Sequence, residues 1–409
     1  MLHRALLICL GSVILMSAHA ATLEQITAEA LRNNPELQVL EQSVAAAKGG
    51  VRTARTLSNP ELTVAPGTRH LSEGNSSTRE FHGEFSLSQL FKFPGKRALE
   101  IAIAQRNVEL SNIALEGFRF QLAAKVRRAF YDELAAEKIA QARQQQVESA
   151  RMFVESAKKR AESGYASDFD TIKSQADLIA SNKTLRQAQA QMWAARVKLN
   201  TLMGRDPSLP LKLDGALDEV QPRGSRSDFL ALAMARNPSI RTQTRQAEIA
   251  GLNLRSTRFG RRPDFAIGPS IEYLPSEQTY GISATLALPL WDQKQGAIET
   301  ATAEQKKAFG ELEKTRAEVA AEVTNAAANL QAAKEQLALY SPAFLEQLKG
   351  VMAQAEQGYA QNSTTLLIYL DAKRTYFDTL VDYYESLSNV AETRSDLESA
   401  VGVPLDLKP

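Results

Sequence analysis

The chain has 409 residues, with 48 basic and 47 acidic side chains, four histidines and one cysteine. A formal net charge of +1 is too small for a nucleic-acid surface, so we exclude DNA and RNA as partners. The single cysteine excludes a scaffold held by disulfides, and the length suits two or three ordinary domains.

Residues 1–20 have the pattern of a secretory signal peptide that is removed from the mature protein. A short basic start precedes an apolar run from Ala5 to Met16, and a small-residue cleavage site follows at residues 18–20. The apolar run is too short for a membrane-spanning helix, which needs about 20 residues. We therefore expect an exported chain that loses Cys9 with its signal peptide.

The mature chain lacks the residues that usually carry enzyme chemistry. Two histidines, His70 and His82, remain after the signal peptide is removed, and no cysteine remains. The sequence contains no phosphate-binding loop and no recognisable metal-ligand spacing. We predict that the protein is not an enzyme, needs no cofactor and has no metal site, with both histidines as ordinary surface residues.

The mature chain contains two copies of one repeated unit. Four short motifs recur in the same order at offsets of about 200 residues, which is typical of a duplication. We predict a first repeat at residues 21–204, an irregular connector at 205–224 and a second repeat at 225–409. The recurring pairs are Asn34-Pro35 with Asn237-Pro238, Asn59-Pro60 with Arg262-Pro263, Gly164-Tyr165-Ala166 with Gly358-Tyr359-Ala360, and Leu199–Gly204 with Leu397–Gly402.

Each repeat contains two short helices, two strands and a pair of long helices in the same predicted order. A helix stops before each Asn-Pro pair, because the residue before proline disfavours helical geometry. The first repeat is predicted to have helices at 23–33 and 35–57, strands at about 60–70 and 80–92, and a long helix over 96–163 that turns at a hairpin tip near 164. The second is predicted to have helices at 228–237 and 238–259, strands at about 263–273 and 279–289, and a long helix over 296–357 with a kink at Pro342 and a hairpin tip near 358.

The strand segments alternate between apolar and polar side chains, which places one face in an apolar medium and the other in water. Each segment has about ten residues, the length that a tilted strand needs to cross a bilayer. Two soluble hairpins packed on a core would show the same alternation. In the membrane interpretation, the lipid-facing side chains are Phe81, Phe85, Leu87, Phe265, Ile267, Ile271, Tyr280, Ile282, Leu286 and Leu288.

Four strands cannot close a barrel, and open strand edges are not tolerated in hydrocarbon because unpaired backbone groups are costly there. Strands in outer-membrane lipid would therefore need sister chains, and three chains would supply twelve strands. The long helices carry apolar residues at spacings of three and four, as in a coiled coil. The expected fold is mainly α with a small β part: a duplicated unit of long antiparallel coiled-coil helices and four transmembrane strands per protomer, completing a 12-stranded barrel as a homotrimer.

The order of these elements resembles the TolC-type outer-membrane efflux family over essentially the whole mature chain. The segment Gly358-Tyr359-Ala360, followed by Leu370-Asp371-Ala372, is similar to the second hairpin turn of that family. The resemblance implies a trimeric barrel, a periplasmic helical tunnel and an entrance closed by the hairpin tips. It also implies two partners, an inner-membrane pump of the RND type and a periplasmic adaptor protein.

The resemblance carries over to individual residues at the entrance. Tyr359 matches a tyrosine that helps to hold the entrance closed, and Asp371 matches one of two aspartates at the constriction. The sequence departs from the family pattern at Ile368, which replaces the other aspartate, and at Thr364, which replaces an arginine. The implied gate residues are thus Tyr359, Asp371, Thr364 and Ile368. The implied adaptor-contacting residues are Gly164, Tyr165, Ala166, Ser167, Gly358, Ala360 and Asn362.

The turn Phe93-Pro94-Gly95-Lys96-Arg97 resembles a G-K-R turn of the CzcC-like branch, which serves heavy-metal efflux pumps. We therefore predict the outer-membrane exit duct of a tripartite system, conducting heavy-metal cations passively to the exterior. Two alternatives within the family are a drug duct and a type I protein-secretion duct. Outside the family, the helices also fit a soluble periplasmic coiled-coil adaptor or a structural protein.

Overall fold

A computed structural model describes residues 20–73, 76–164, 167–217, 224–275 and 277–405, without the side chains of 71–73 and 76–78. The chain is mainly helical with one small sheet, which confirms that part of the expected fold. The strands are β1 (Glu61–Glu73), β2 (Ser76–Phe91), β3 (Phe265–Leu274) and β4 (Glu277–Leu286). The helices are α1 (Leu23–Asn33), α2 (Pro35–Arg55), α3 (Lys96–Glu162), α4 (Asp168–Leu202), α5 (Arg226–Arg236), α6 (Pro238–Phe259), α7 (Gln295–Leu337), α8 (Pro342–Ala360) and α9 (Leu366–Val401).

The chain divides into two compact units. Unit 1 comprises the described residues within Met1–Pro35, Arg119–Arg226 and Val323–Pro409, and it contains α1, α4, α8 and α9. Unit 2 comprises Glu36–Phe118 and Ser227–Glu322, and it contains α2, α6 and the whole sheet. The long helices α3 and α7 contribute residues to both units.

The repeated Asn-Pro pairs each end one helix and start the next. Asn34 has an extended backbone with ψ of 122°, as expected before Pro35, and its N–H donates to Ala30 of α1. Asn237 is extended with ψ of 127°, and its side-chain oxygen accepts from the N–H of Ser239 at 2.8 Å. A proline at the first helical position needs no N–H partner, so the same dipeptide serves both junctions.

The four strands form one antiparallel sheet in the order β1-β2-β3-β4. Phe85 of β2 lies opposite Ile271 of β3, and Ile271 lies opposite Tyr280 of β4. Directly opposite residues share a face, so these three side chains point to the same side. A β-carbon on Gly268 would lie 1.7 Å from the carbonyl oxygen of Leu87, so only glycine fits this close approach of β2 and β3. The sheet therefore joins strands from both repeats.

The predicted second long helix is interrupted. The expected continuous helix over 296–357 with a kink at Pro342 is wrong, because α7 ends at Leu337 and α8 begins at Pro342. Ser341 caps α8, and its side chain accepts from the N–H of Phe344 at 3.2 Å. Serine followed by proline is a strong helix start, so the pair terminates one helix and begins another.

The coiled-coil spacing in α3 and α7 corresponds to buried side chains. These side chains form one apolar face on each helix, as the spacing of three and four predicts. The buried members are Leu122, Val126, Phe130 and Leu134 of α3, and Val319, Val323, Ala326, Leu330 and Ala333 of α7.

Candidate functional site

Unit 1 contains two turns between helices, and the first of them joins α3 to α4. Gly164 follows α3 with φ of +77°, a left-handed conformation that favours glycine. Ser167 caps α4 and accepts from the N–H of Asp170 at 3.3 Å. Gly164 and Ser167 are both exposed. Tyr165 and Ala166 lie outside the described residues.

The second turn joins α8 to α9, and it begins later than the sequence predicts. Gly358 lies inside α8, which continues to Ala360, so the expected break at Gly358 is displaced. The left-handed residue is Asn362, with φ of +61°. The carbonyl of Gly358 accepts from the N–H groups of Ser363 and Thr364 at 2.8 and 3.2 Å. A β-carbon on Gly358 would lie 2.8 Å from the Thr364 hydroxyl, so a larger residue here would displace the Thr364 side chain.

Tyr359 belongs to an aromatic cluster that packs α3 against α8 and α9. Its side chain is only 4% exposed, and its ring centroid lies 4.9 Å from that of Phe153 on α3. Phe153 in turn stacks on Tyr369 of α9 at 4.4 Å. Burial raises the pKa of Tyr359, and it raises the pKa of Tyr369 to about 12. The Tyr369 hydroxyl is 3.2 Å from that of Ser149, whereas the Tyr359 hydroxyl has no hydrogen-bond partner among the described residues.

An arginine that sequence reasoning missed holds the second turn. Arg160, in the last turn of α3, lies with its guanidinium carbon 4.2 Å from the centroid of the Tyr359 ring. It also donates to the backbone carbonyl of Tyr359 and to the side-chain oxygen of Asn362. Although Thr364 replaces the arginine of the family pattern, Arg160 supplies an arginine to this turn. A basic residue in the last turn is common in helices, so nothing local marked Arg160 for this contact.

A buried ion pair links α4 and α9. Lys373 is fully buried, and its ammonium donates to the carboxylate of Asp177. Lys373 falls in the apolar stripe of α9, and a lysine in such a stripe is a signal that the sequence does offer. The other members of that stripe are Leu366, Tyr369, Phe377 and Val381.

The remaining predicted gate residues do not join the aromatic cluster. Ile368 and Asp371 are exposed on α9, and Asp371 has no ion pair with any described residue. Thr364 is half-buried against Gly358. Ala360 and Asn362 are exposed at the turn. The structure thus places Tyr359 in a buried contact and leaves Asp371 accessible.

In unit 2, one face of the sheet carries the side chains predicted to face lipid. Each of the ten is between 40% and 79% exposed in the single chain. Phe91 and Phe265 extend this face and stack with ring centroids 5.5 Å apart. Leu288 is exposed but lies beyond β4, because that strand ends at Leu286 and not near residue 289. The opposite face pairs mainly small or polar residues, as Ser86 with Ser270, with Leu90 opposite Ala266 as an apolar exception.

Two other kinds of feature, a membrane-spanning helix and a metal-binding cluster, are not found among the described residues. No described helix is long and apolar enough to cross a bilayer. No three described His, Cys, Asp or Glu side chains are grouped so that they could hold a metal ion. His70 lies with its Nε2 atom 3.5 Å from a guanidinium nitrogen of Arg79.

Comparison with known proteins identifies relatives along most of the chain. The family model described as outer membrane efflux protein matches residues 26–205 and 230–403. The cobalt-zinc-cadmium resistance protein CzcC of Cupriavidus metallidurans is 23% identical over 389 residues, covering 94% of this chain and 91% of CzcC. The nickel-cobalt-cadmium resistance protein NccC of Alcaligenes xylosoxydans xylosoxydans is 24% identical over 319 residues, covering 76% of this chain and 70% of NccC.

The fold is similar to that of a solved channel. Crystal structures of CusC, which concern folding and transmembrane channel formation, superpose with a TM-score of 0.77 at 17% identity. The match covers 93% of this chain and 92% of CusC. The family match confirms the resemblance and decides against a soluble adaptor or structural protein. The chain belongs to the outer membrane efflux protein family.

Proposed function

We propose that the protein is the outer-membrane exit duct of a tripartite efflux system and conducts heavy-metal cations passively to the exterior. The resistance proteins CzcC and NccC, named for cobalt, zinc, cadmium and nickel, support this cargo. An RND-type inner-membrane pump and a periplasmic adaptor complete the proposed assembly.

The proposal of a homotrimer rests on the edges and the exposed face of the sheet. One face of the sheet is apolar and exposed, and the edge strands β1 and β4 each have a single neighbour within the described chain. In lipid, unpaired edge groups would each cost several kcal/mol. Pairing β1 of one protomer with β4 of the next satisfies both edges, and three protomers then supply a 12-stranded barrel.

The two turns of unit 1 support a role as the periplasmic entrance. Tyr359 and Arg160 hold the second turn against α3, so they would keep the entrance closed. Exposed Asp371 and Ile368 would line the constriction, and a single carboxylate per protomer gives a trimer one acidic ring. Gly164, Ser167, Ala360 and Asn362 are exposed. Together with Tyr165, Ala166 and Gly358 they remain the proposed adaptor contacts.

The cargo is tested by deleting the gene and measuring growth on cobalt, zinc, cadmium, nickel and copper salts and on a panel of drugs. We expect lower tolerance of one or more metals, with normal drug tolerance, and recovery when the intact gene is restored. Drug sensitivity without metal sensitivity would assign the duct to drug efflux, and loss of an exported protein would assign it to type I secretion. For the constriction, Asp371→Ala should weaken block of the bilayer current by trivalent cations, and unchanged block would place the constriction elsewhere.

A further inference from the structure

The three residues of the G-K-R turn have separate environments. Gly95 has φ of +96°, and a β-carbon there would lie 3.0 Å from the ring of Phe259. Lys96 donates to Asp264 at 2.8 Å. Arg97 makes no hydrogen bond or ion pair with any described residue, and its Nε atom is buried. Two residues of the motif thus build the turn, and the third has no structural contact of this kind.

Arg97 lines a cavity of about 550 Å³ within unit 2. The walls come from the end of α2, the end of β2 and the start of α3. One part of the lining is apolar and the other is charged. The apolar side chains include Leu57, Leu90 and Phe91, and the charged ones are Lys92, Arg97 and Glu100.

The charged wall has an excess of one positive charge. The Lys92 ammonium lies 2.7 Å from both carboxylate oxygens of Glu100, so these two groups neutralise each other. Arg97 is left as the uncompensated cation. Helix α3 also begins with Lys96 and Arg97 and has no acidic residue in its first turn, opposite to the usual preference at a helix N-terminus. An anion in the cavity would offset both unfavourable arrangements.

The position of the cavity indicates that its ligand also has an apolar part. Phe91 is the last residue of β2 and lies on the exposed apolar face of the sheet, and it also lines the cavity. The proposed function places this face in lipid, and the end of a transmembrane strand lies at headgroup level. A suitable ligand therefore combines one negative charge with apolar chains that continue along the strand face.

We propose that this cavity binds the phosphodiester of an anionic glycerophospholipid, with the Arg97 guanidinium as its main hydrogen-bond donor. A planar guanidinium donates two parallel hydrogen bonds to two phosphate oxygens. Leu57 and Phe91 would contact the glycerol and the start of the acyl chains. The assignment rests on the proposed placement of the strands in the membrane.

The experiment is a native mass spectrometry titration of the purified full chain in detergent with phosphatidylglycerol. The variant is Arg97→Gln, and its matched control is Arg52→Gln, an exposed arginine of α2 that does not line the cavity. We expect Arg97→Gln to weaken binding by at least about tenfold, because it removes the charge and both parallel hydrogen bonds of the guanidinium, with Arg52→Gln unchanged. Arg97→Lys keeps the charge without the planar fork and should fall between the wild type and Arg97→Gln.

Two further arms separate the possible sources of the phosphate. Phosphatidylcholine, which is zwitterionic, should bind more weakly than phosphatidylglycerol, and glycerol phosphate without acyl chains should not compete. Equal binding by wild type and Arg97→Gln, or full competition by glycerol phosphate, would overturn the lipid site. The same spectra report oligomeric mass: a trimer without Arg97-dependent lipid contradicts this inference alone, whereas a monomer that retains the lipid contradicts the proposed trimeric duct.

Discussion

Lys373 of α9 donates to Asp177 of α4, so a fully buried ammonium is neutralised by a carboxylate from the other helical hairpin. Asp177 keeps about a quarter of its side chain exposed, at 24%. The pair therefore joins two segments that are distant in sequence, and Lys373 depends on it more than Asp177 does.

Asp177→Asn should destabilise the contact between α4 and α9, because it leaves Lys373 charged and buried. Removing one partner of a buried pair typically costs about 3 kcal/mol. Hydrogen exchange measured by mass spectrometry should show faster exchange in both helices. The double variant Asp177→Asn with Lys373→Met should recover most of the protection, and exposed Lys183→Met is the control. Unchanged exchange in Asp177→Asn would contradict the pairing.

Arg160→Gln should increase the leak current through channels in planar bilayers. The substitution removes the cation over the Tyr359 ring and the donor to the Tyr359 carbonyl, so the second turn is held less firmly. Arg186→Gln, an exposed arginine of α4, serves as the control. A current equal to that of the wild type would show that Arg160 does not hold the entrance closed.

The two tyrosines of the aromatic cluster should respond differently to loss of the hydroxyl. Tyr369→Phe loses the hydrogen bond to Ser149 and should lower the free energy of unfolding by about 1 kcal/mol. Tyr359→Phe removes a buried hydroxyl without a described partner and should be neutral or stabilising. Thermal unfolding in detergent compares the two, and equal destabilisation would indicate that the Tyr359 hydroxyl has a partner.

Asp264 should make the G-K-R turn sensitive to acid. Although burial raises the pKa of Asp264, hydrogen bonds from Lys96 and from the N–H of Phe93 outweigh burial and lower it. A lowered folded-state pKa means that the stabilisation is present above the unfolded value, about 3.9, and is lost as pH falls through the folded value. Asp264→Asn should therefore lower the melting temperature at pH 7, and the difference from the wild type should shrink as the pH falls below about 3.9 and through the lowered folded-state pKa.

The control for this prediction is Asp382→Asn, an exposed aspartate of α9 outside the proposed gate. Its melting temperature should stay close to that of the wild type over the same pH range. A difference between Asp264→Asn and the wild type that stays constant from pH 7 to well below the unfolded pKa of about 3.9 would show that the carboxylate charge contributes nothing.

Arginine should be tolerated on only one face of the sheet. Ile271→Arg places a charge on the apolar face and should cost about 2–4 kcal/mol if that position is near the bilayer centre. Ser270→Arg, one residue earlier in β3, points to the opposite face and should fold normally. The yield of folded protein in the outer-membrane fraction measures both, and equal yields would argue against lipid contact at Ile271.

Local signals predicted much of the fold. Helix α6 has the predicted limits, because Asn237-Pro238 starts it and residues 260–264 are irregular. The alternation of apolar and polar residues predicted which side chains share a face of each strand, because this depends only on neighbouring residues. The limits of β4 were less accurate, since residues 287–289 keep the alternation without pairing.

Contacts between distant segments could not be predicted in the same way. Arg160 lies in one repeat and Tyr359 in the other, and no spacing rule connects them. Lys373 was visible as a lysine in an apolar stripe, but its partner Asp177 resembles any solvated helix carboxylate. The Ser341-Pro342 pair was a local signal with two meanings, and the sequence alone did not distinguish a kink from a new helix.

The central pairing of β2 with β3 imposes an order on biogenesis. When β2 leaves the ribosome, its second partner β3 has not yet been synthesised, because helices α3 to α6 lie between the two strands in the sequence. Until then one hairpin carries an open edge and an apolar face through an aqueous compartment, a state prone to aggregation. Distant strand pairing is also slow to form. We therefore expect a nascent subunit of this kind to need protection from aggregation until its second half has been made.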